Sequence, residues 1–517
     1  MIIFHNIGYN YVYINIERRV NLKRIFVVLG LFVVSIIFLL GFVDQNPSKQ
    51  VKSEADIVYS INNIPSNLET VGSLSKREQD IICAVSKGLV ELDTNGELVP
   101  ALAESVDIRD NGIEYDFKIR DDVYWSDGNK ITPSEIVEFF REVVTLEAED
   151  DIEPLLNIFG VSEYRSGNKS FNNGVGITAT DTNLIIRLNS QDSNFLNELT
   201  KPQYRLRKSV ILWEELASNY TTIPYSGNYS IADINSLNEI TLKRNSTADP
   251  SLAKTIHMIK DDGEDLALAA FEIGERDIVL NPPKSQLSRL SKEDKLVSIP
   301  SNKSTYLAFN KNNILSIDDR KEIYRLITKA LEDYEANNQS LIKLADGSYF
   351  RDEEQDLSKL QDRKVMSSVG EESEIPEVVY LACEESLLNK EIVDYISNWF
   401  ADNTDITLVG SLLREEITSD ISYYDMAIIN LDADYSDKAE FYEVISPYIS
   451  EELINKVSIS KTVEEQKEIL TQIEDNLFEN YSVLPLIFYN DNIAVNSSIE
   501  NINLDGNGNL KFELTKK

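Results

Sequence analysis

Few residues in this chain could do covalent chemistry. Its 517 residues include two histidines, His5 and His257, and two cysteines, Cys83 and Cys383. A hydrolytic triad needs a base held beside a nucleophile, and a zinc site needs several nitrogen or sulfur ligands. Neither a G-x-S-x-G elbow nor an H-E-x-x-H pair occurs in the sequence. The cysteines sit in the apolar contexts IICAV and YLACEE, so both read as buried free thiols. Carboxylates are abundant: 87 Asp and Glu face 50 Lys and Arg, for a net charge of -37. In so acidic a chain, neighbouring carboxylates do not argue for acid–base catalysis. One acid-rich run, Leu431-Asp432-Ala433-Asp434-Tyr435, reads by spacing alone as a turn or cap. The residues therefore favour non-covalent capture over turnover, and neither a cofactor nor a metal is expected.

The charge is unevenly spread. Residues 1–24 hold Arg18, Arg19, Lys23 and Arg24 against Glu17 alone, and residues 25–43 hold no charge. The rest carries a net of -40, which would repel phosphate backbones, so nucleic acid is not an expected partner. Ile25 to Val43 is a run of 19 uncharged, strongly apolar residues. At ~1.5 Å per residue it spans roughly 28 Å, about one bilayer core. The preceding basic residues place the N-terminus in the cytoplasm and residues 44–517 outside. No small-x-small site follows the run, which favours an uncleaved anchor over a signal peptide.

Beyond the anchor, short β-type runs alternate with helical ones, which predicts a mixed α/β chain of two or three lobes. Residues 113–119, 183–188 and 239–243 read as strands. Helices are expected over 78–90, 319–334 and 462–480, and another opens at Thr132-Pro133-Ser134-Glu135 with the residues of a capping box. Trp125, Trp213 and Trp399 read as core residues, and Tyr225 and Tyr229 as candidates to face a cleft.

Two blocks carry a resemblance. The first runs Lys87-Gly88-Leu89-Val90-Glu91-Leu92-Asp93, Asn95-Gly96 and Leu98-Val99-Pro100-Ala101-Leu102-Ala103-Glu104-Ser105. The second runs Tyr115 to Ile119, then Arg120-Asp121-Asp122-Val123-Tyr124-Trp125-Ser126-Asp127-Gly128. In order and spacing they resemble the signature of the peptide-type (family 5) solute-binding proteins of ABC transporters. Asp122 stands where that family prefers Gly, and Glu135 where it prefers Asp. Tyr225-Ser226-Gly227-Asn228-Tyr229, Phe271 to Ile278, Tyr306 to Asn310 and Leu484 to Tyr489 resemble later blocks. Phe159-Gly160, Ser166 to Lys169, Gly174 to Ile177 and Thr180 to Thr182 look like the oligopeptide-binding branch.

That resemblance implies a bilobal periplasmic-binding-protein type II fold with an extra subdomain, preceded by one transmembrane helix. The expected layout is a cytoplasmic segment (1–24), an anchor (25–43), a tether (44–54), lobe I (55–65, 171–264 and 488–517), the subdomain (66–170) and lobe II (265–487). The implied function is capture of short peptides and delivery to ABC permease subunits, by a monomer held at the cell membrane with its bulk outside. The matching run places Asp434 against the peptide amine, flanked by Ala433 and Tyr435, with Leu431 where the family has Trp and Lys438 where it has Pro. Other readings stay open: the same fold binding a metal chelate, a sugar or an opine, or a surface protein that senses rather than transports.

Overall fold

Helix starts in this chain are written locally. Ser75, Thr132 and Ser316 each accept a bond from the backbone three residues on, and Glu78, Glu135 and Asp319 reach back to the cap. The return bonds measure 3.0, 3.0 and 2.9 Å. Such caps contribute about 1 kcal/mol each. The Glu at position 135 thus serves the box as an Asp would.

The computed structural model describes residues 56–516, apart from 94–96, 193, 236–237, 313–314, 339, 352–374, 415–420, 422, 433–441, 443 and 460–462. Strands and the helices of eight or more residues follow in chain order. They begin with β1 (Asp56–Ile61), α1 (Lys76–Val85), β2 (Val90–Leu92), β3 (Leu98–Pro100), β4 (Ala103–Arg109), β5 (Glu114–Ile119) and α2 (Pro133–Leu146). Next come β6 (Ile177–Ala179), β7 (Asn183–Arg187), β8 (Tyr229–Asn235), β9 (Glu239–Arg244), β10 (Thr255–Lys260), α3 (Glu264–Glu272), β11 (Ile278–Leu280) and α4 (Lys284–Lys292). The remainder is β12 (Leu296–Phe309), α5 (Ile317–Asn337), β13 (Ile342–Leu344), β14 (Val378–Glu384), α6 (Leu387–Asn403), β15 (Thr407–Leu413), β16 (Met426–Asp432), α7 (Glu451–Ile459), α8 (Val463–Glu479) and β17 (Val483–Val495). The mixed α/β expectation holds.

An 11-stranded sheet runs in the order β15-β14-β16-β12-β17-β11-β1-β10-β9-β8, with β13 also paired to β17. A second sheet, β4-β5-β7-β6, has four strands. Three main apolar cores organise these elements. One gathers Ile57, Tyr59, Ile81, Trp213, Ile256 and Phe512 around one end of the large sheet. Another gathers Tyr306, Ile327, Leu381, Ile396, Met426 and Leu484 around the other end. The third, from Leu89 to Val210, surrounds the four-stranded sheet. Its span differs from the boundaries of 66–170 drawn from the sequence. Leu68, Val71 and α1 pack in the first core, while β6 and β7 join β5 and belong to the third. Strand pairing between distant segments sets this limit, and no local pattern announces it.

The cores are tied together by buried guanidinium groups. Arg207 donates to the carbonyls of Leu68 (2.6 Å) and Glu69 (2.7 Å), with Phe139 and Trp213 beside it. Burial lowers its pKa to about 10, while Glu147 at 3.7 Å pulls the other way. Arg205 reaches Glu91 at 3.3 Å and Asp505 at 3.8 Å. Gly227 is forced by close approach: a Cβ there would lie 2.4 Å from the carbonyl carbon of Val85. Cys83 and Cys383 are both buried free thiols, as the sequence suggested. Trp125 and Trp213 are fully buried, and Trp399 packs half-buried against its core. Among the described residues no helix is long and apolar enough to cross a membrane. Residues 25–43 lie outside them.

Burial raises the Asp505 pKa to about 6, against the pull of Arg205 and the backbone N–H of Asn509 (2.9 Å). A folded-state value above the unfolded one means that stability is lost as pH rises from about 4 through about 6. The loss should approach about 3 kcal/mol at neutral pH. Asp505→Asn should remove that part of the pH dependence. Urea unfolding at pH 4, 5, 6 and 7 tests this, and a wild-type-minus-variant difference that stays constant across the series would refute it.

Candidate functional site

Two strands are longer than the cores they serve. The C-terminal half of β12, Tyr306 to Phe309, and the N-terminal half of β17, Val483 to Ile487, are buried in one core. Val297 and Ile299 of β12, and Ile493 and Val495 of β17, belong to the other. Between those apolar halves each strand turns polar. β12 reads Ser301-Asn302-Lys303-Ser304 there, and β17 reads Tyr489-Asn490-Asp491-Asn492. The strands run antiparallel with a register shift between Pro300↔Asn490 and Ser304↔Phe488, so three residues of β12 face Tyr489 alone. Such a bulge re-aims side chains out of the regular pleat.

A cavity of about 230 Å³ opens at this polar crossing. Ser301, Lys303 and Tyr489 to Asn492 line it from the two strands, and Glu264, Asn281 and Lys284 from α3, the end of β11 and α4. Its amides are held in place. Asn281 N–H donates to the Asn492 carbonyl at 2.6 Å, and Asn492 N–H donates back to the Asn281 side chain at 3.2 Å. Ser298 Oγ donates to Asn492 Oδ1 at 2.6 Å. Arg351 donates to the Tyr489 carbonyl and to Asn490 Oδ1, both at 2.5 Å. Tyr489 Oη lies 3.0 Å from Thr305 Oγ1, which donates to Asn430 at 3.1 Å. Burial pushes the Tyr489 phenol up to about 12, so it stays protonated.

The charges of the cavity differ in their engagement. Lys284 Nζ donates to Tyr334 Oη at 2.6 Å and pairs with Glu391. Lys303, Glu264 and Asp491 form no salt bridge among the described residues. The site thus offers fixed amides and hydroxyls together with both signs of charge. It has the groups for binding a polar ligand.

The site residues expected from the sequence, Ala433, Asp434 and Tyr435, lie outside the described residues. Their strand is described up to Asp432, which sits opposite Lys303 in the register of β16 on β12. Leu431, where the family's Trp was expected, is buried in the core around β16. Tyr225 and Tyr229 do not face this cavity. Both are buried, with hydroxyls donating to the Tyr220 (2.8 Å) and Ala253 (3.2 Å) carbonyls. The sequence reading missed Lys303, Asp491, Glu264 and the asparagines. A signal was present: a short polar run interrupts each of two long apolar stretches.

Residues 97–330 match the model of bacterial extracellular solute-binding proteins, family 5 (middle). A dipeptide-binding protein of Lactococcus lactis subsp. cremoris is 26% identical over 172 residues, covering 33% of this chain and 31% of that one. The oligopeptide-binding protein SarA of Streptococcus gordonii is 23% identical over 270 residues, 48% of this chain and 40% of that one. The chain therefore spans about a third to two-fifths of these curated relatives. Among solved structures, the unliganded open form of MppA, a periplasmic murein tripeptide binding protein, superposes with a TM-score of 0.72 at 16% identity, covering 90% of this chain and 98% of that one. Haemophilus influenzae OppA in complex with RPPGFSPFR gives 0.61 at 16% identity, covering 90% and 99%. The fold is that of the periplasmic-binding-protein type II neighbours.

Asn492 is almost fully buried and holds Ser298, Asn281 and β17 together. Asn492→Ala removes the acceptor of the Ser298 hydroxyl and leaves the Asn281 bonds, which run to the Asn492 backbone, in place, and it should cost about 1 kcal/mol. An unfolding free energy within about 0.5 kcal/mol of wild type would show that the amide cluster is not held as described.

Proposed function

We propose that this protein captures short peptides at the crossing of β12 and β17 and delivers them to an ABC importer. The observation that carries the reading is the cavity itself, in a chain whose residues 97–330 match the family 5 model. A ligand there touches strands that belong to two cores, so its binding energy can favour one relative arrangement of those cores over another. The fixed amides suit an extended main chain, whose N–H and C=O groups need partners whatever the side chains are. The volume lies below the roughly 300–1,000 Å³ of sites for drug-sized ligands, which favours ligands of few residues.

Asp434 is the proposed partner of the peptide ammonium, with Ala433 and Tyr435 beside it. The run stands two residues past Asp432, whose strand position neighbours the cavity residue Lys303. Ile25–Val43 is the proposed single-pass anchor, with the bulk of the chain outside the cell membrane and acting as a monomer. The apolar run and its basic flank support that placement.

Thermal unfolding of the full-length chain in detergent, against pooled di- to hexapeptides, tests the capture. At a hundred times the dissociation constant a ligand should add about 2.7 kcal/mol of stability. Acetylating the peptide amine, or Asp434→Ala, should abolish the shift. A shift that survives both discards Asp434, and the absence of any shift discards peptides. Deleting residues 1–43 should move the chain from the membrane fraction to the soluble one, and continued sedimentation with membranes would refute the anchor.

A further inference from the structure

We propose that the outer face of α3 is the surface on which this protein docks with its importer, and that the facing partner segment carries an apolar side chain flanked by lysine or arginine. The inference rests on the delivery reading and adds to it the place and the chemistry of the contact. A surface helix normally buries its apolar stripe and turns polar residues outward. α3 departs from that rule. Its inner face, Ala267, Leu268 and Phe271, packs with Val279, Leu290 and Ala494 in a small core of its own. Leu266, Ala269, half-buried Ala270 and Ile273, just past the helix end, stand at i, i+3, i+4 and i+7 and form a second apolar stripe on the outside. Leu266 is 58% exposed and Ile273 72% exposed. Seven helical steps separate them by about 10 Å, so the stripe is long enough to seat a partner side chain between its ends.

The rim of the stripe is acidic. Residues 261–275 contain six Asp or Glu and no Lys or Arg. Glu272 pairs with Arg289 at 2.6 Å, whereas Glu264, Asp265 and Glu275 form no salt bridge among the described residues. An apolar patch ringed by uncompensated acids suits a basic partner with an apolar knob. It disfavours a second copy of this chain, whose own acids would face these across a two-fold axis, and it disfavours an anionic lipid surface. α3 also joins the docking face to the ligand. Glu264, its first residue, lines the cavity, so a partner seated on α3 lies within one helix length of it, roughly 14 Å.

A photo-crosslinking phenylalanine analogue in place of Ile273, in the full-length chain in its own cells, reads the occupant directly. The expected adduct is with a permease subunit, identified by mass spectrometry, and it should fade when Asp265→Lys and Glu275→Lys are added. An adduct only with a second copy of the chain, an adduct only with lipid, or no adduct overturns the docking face. Uptake of a labelled tripeptide is then measured in cells whose sole copy is wild type, Leu266→Ser with Ile273→Ser, or Leu266→Lys with Ile273→Lys. Uptake should fall about 10-fold or more in the lysine pair and about 3-fold or more in the serine pair. The peptide-induced thermal shift of each purified chain should stay at the wild-type value, which also shows that the variant folds. Where the lysine pair does not fold, the serine pair and the adduct decide. Undiminished uptake in folded variants overturns the docking face and leaves peptide capture standing. A wild type with neither thermal shift nor uptake overturns capture and delivery, and the docking face with them.

Discussion

The cavity depends on the sharing of β12 and β17 between two apolar cores. Each strand is too long for either core alone and buries one half in each. The stretch between the halves lies in neither core, so it cannot be apolar without exposing apolar surface to water. It is instead a run of serine, asparagine, lysine and aspartate whose backbone bonds are continued by side chains. Polar groups held there by their neighbours lose little freedom when a ligand replaces water. The same feature that lets one sheet serve two cores thus supplies a pre-ordered, wet binding surface.

Electrostatics divides the molecule in a related way. Away from the crossing, buried charges are locked: Arg205 with Glu91 and Asp505, Arg207 with Glu147, Arg276 with Asp261. Breaking such pairs leaves a charge without compensation, which costs several kcal/mol. At the cavity the balance differs. Lys303, Glu264 and Asp491 stay where water can reach them, so they carry no large desolvation cost before a ligand arrives. Charges left solvated in this way do not burden the fold.

Much of the fold was legible because its signals were local. The box at Thr132 and Glu135 rests on residues three apart, and the helix begins where it said. The strands near 113–119, 183–188 and 239–243 followed from alternation. The helix expected over 78–90 instead spans Lys76–Val85, because Ser75 caps it earlier and Ser86 turns extended. What stayed hidden was non-local. The pairing of β5 with β7 moves the third core past residue 170, and nothing near either strand records it.

The crossing was hidden for a different reason. Pro300 and the run Ser301 to Ser304 look like a loop, because polar residues and proline usually end a strand. β12 continues through them because β17 and β16 hold its flanks, and the mismatch is absorbed as a bulge. The local rule fails at the proposed site, as expected of a position whose side chains are chosen for binding rather than for pleat and propensity. A polar interruption shared by two long, otherwise apolar strands is therefore a readable sign of a site, provided their pairing is known. Neither strand conveys it alone: SNKS needs YNDN opposite it to become a cavity rather than a turn.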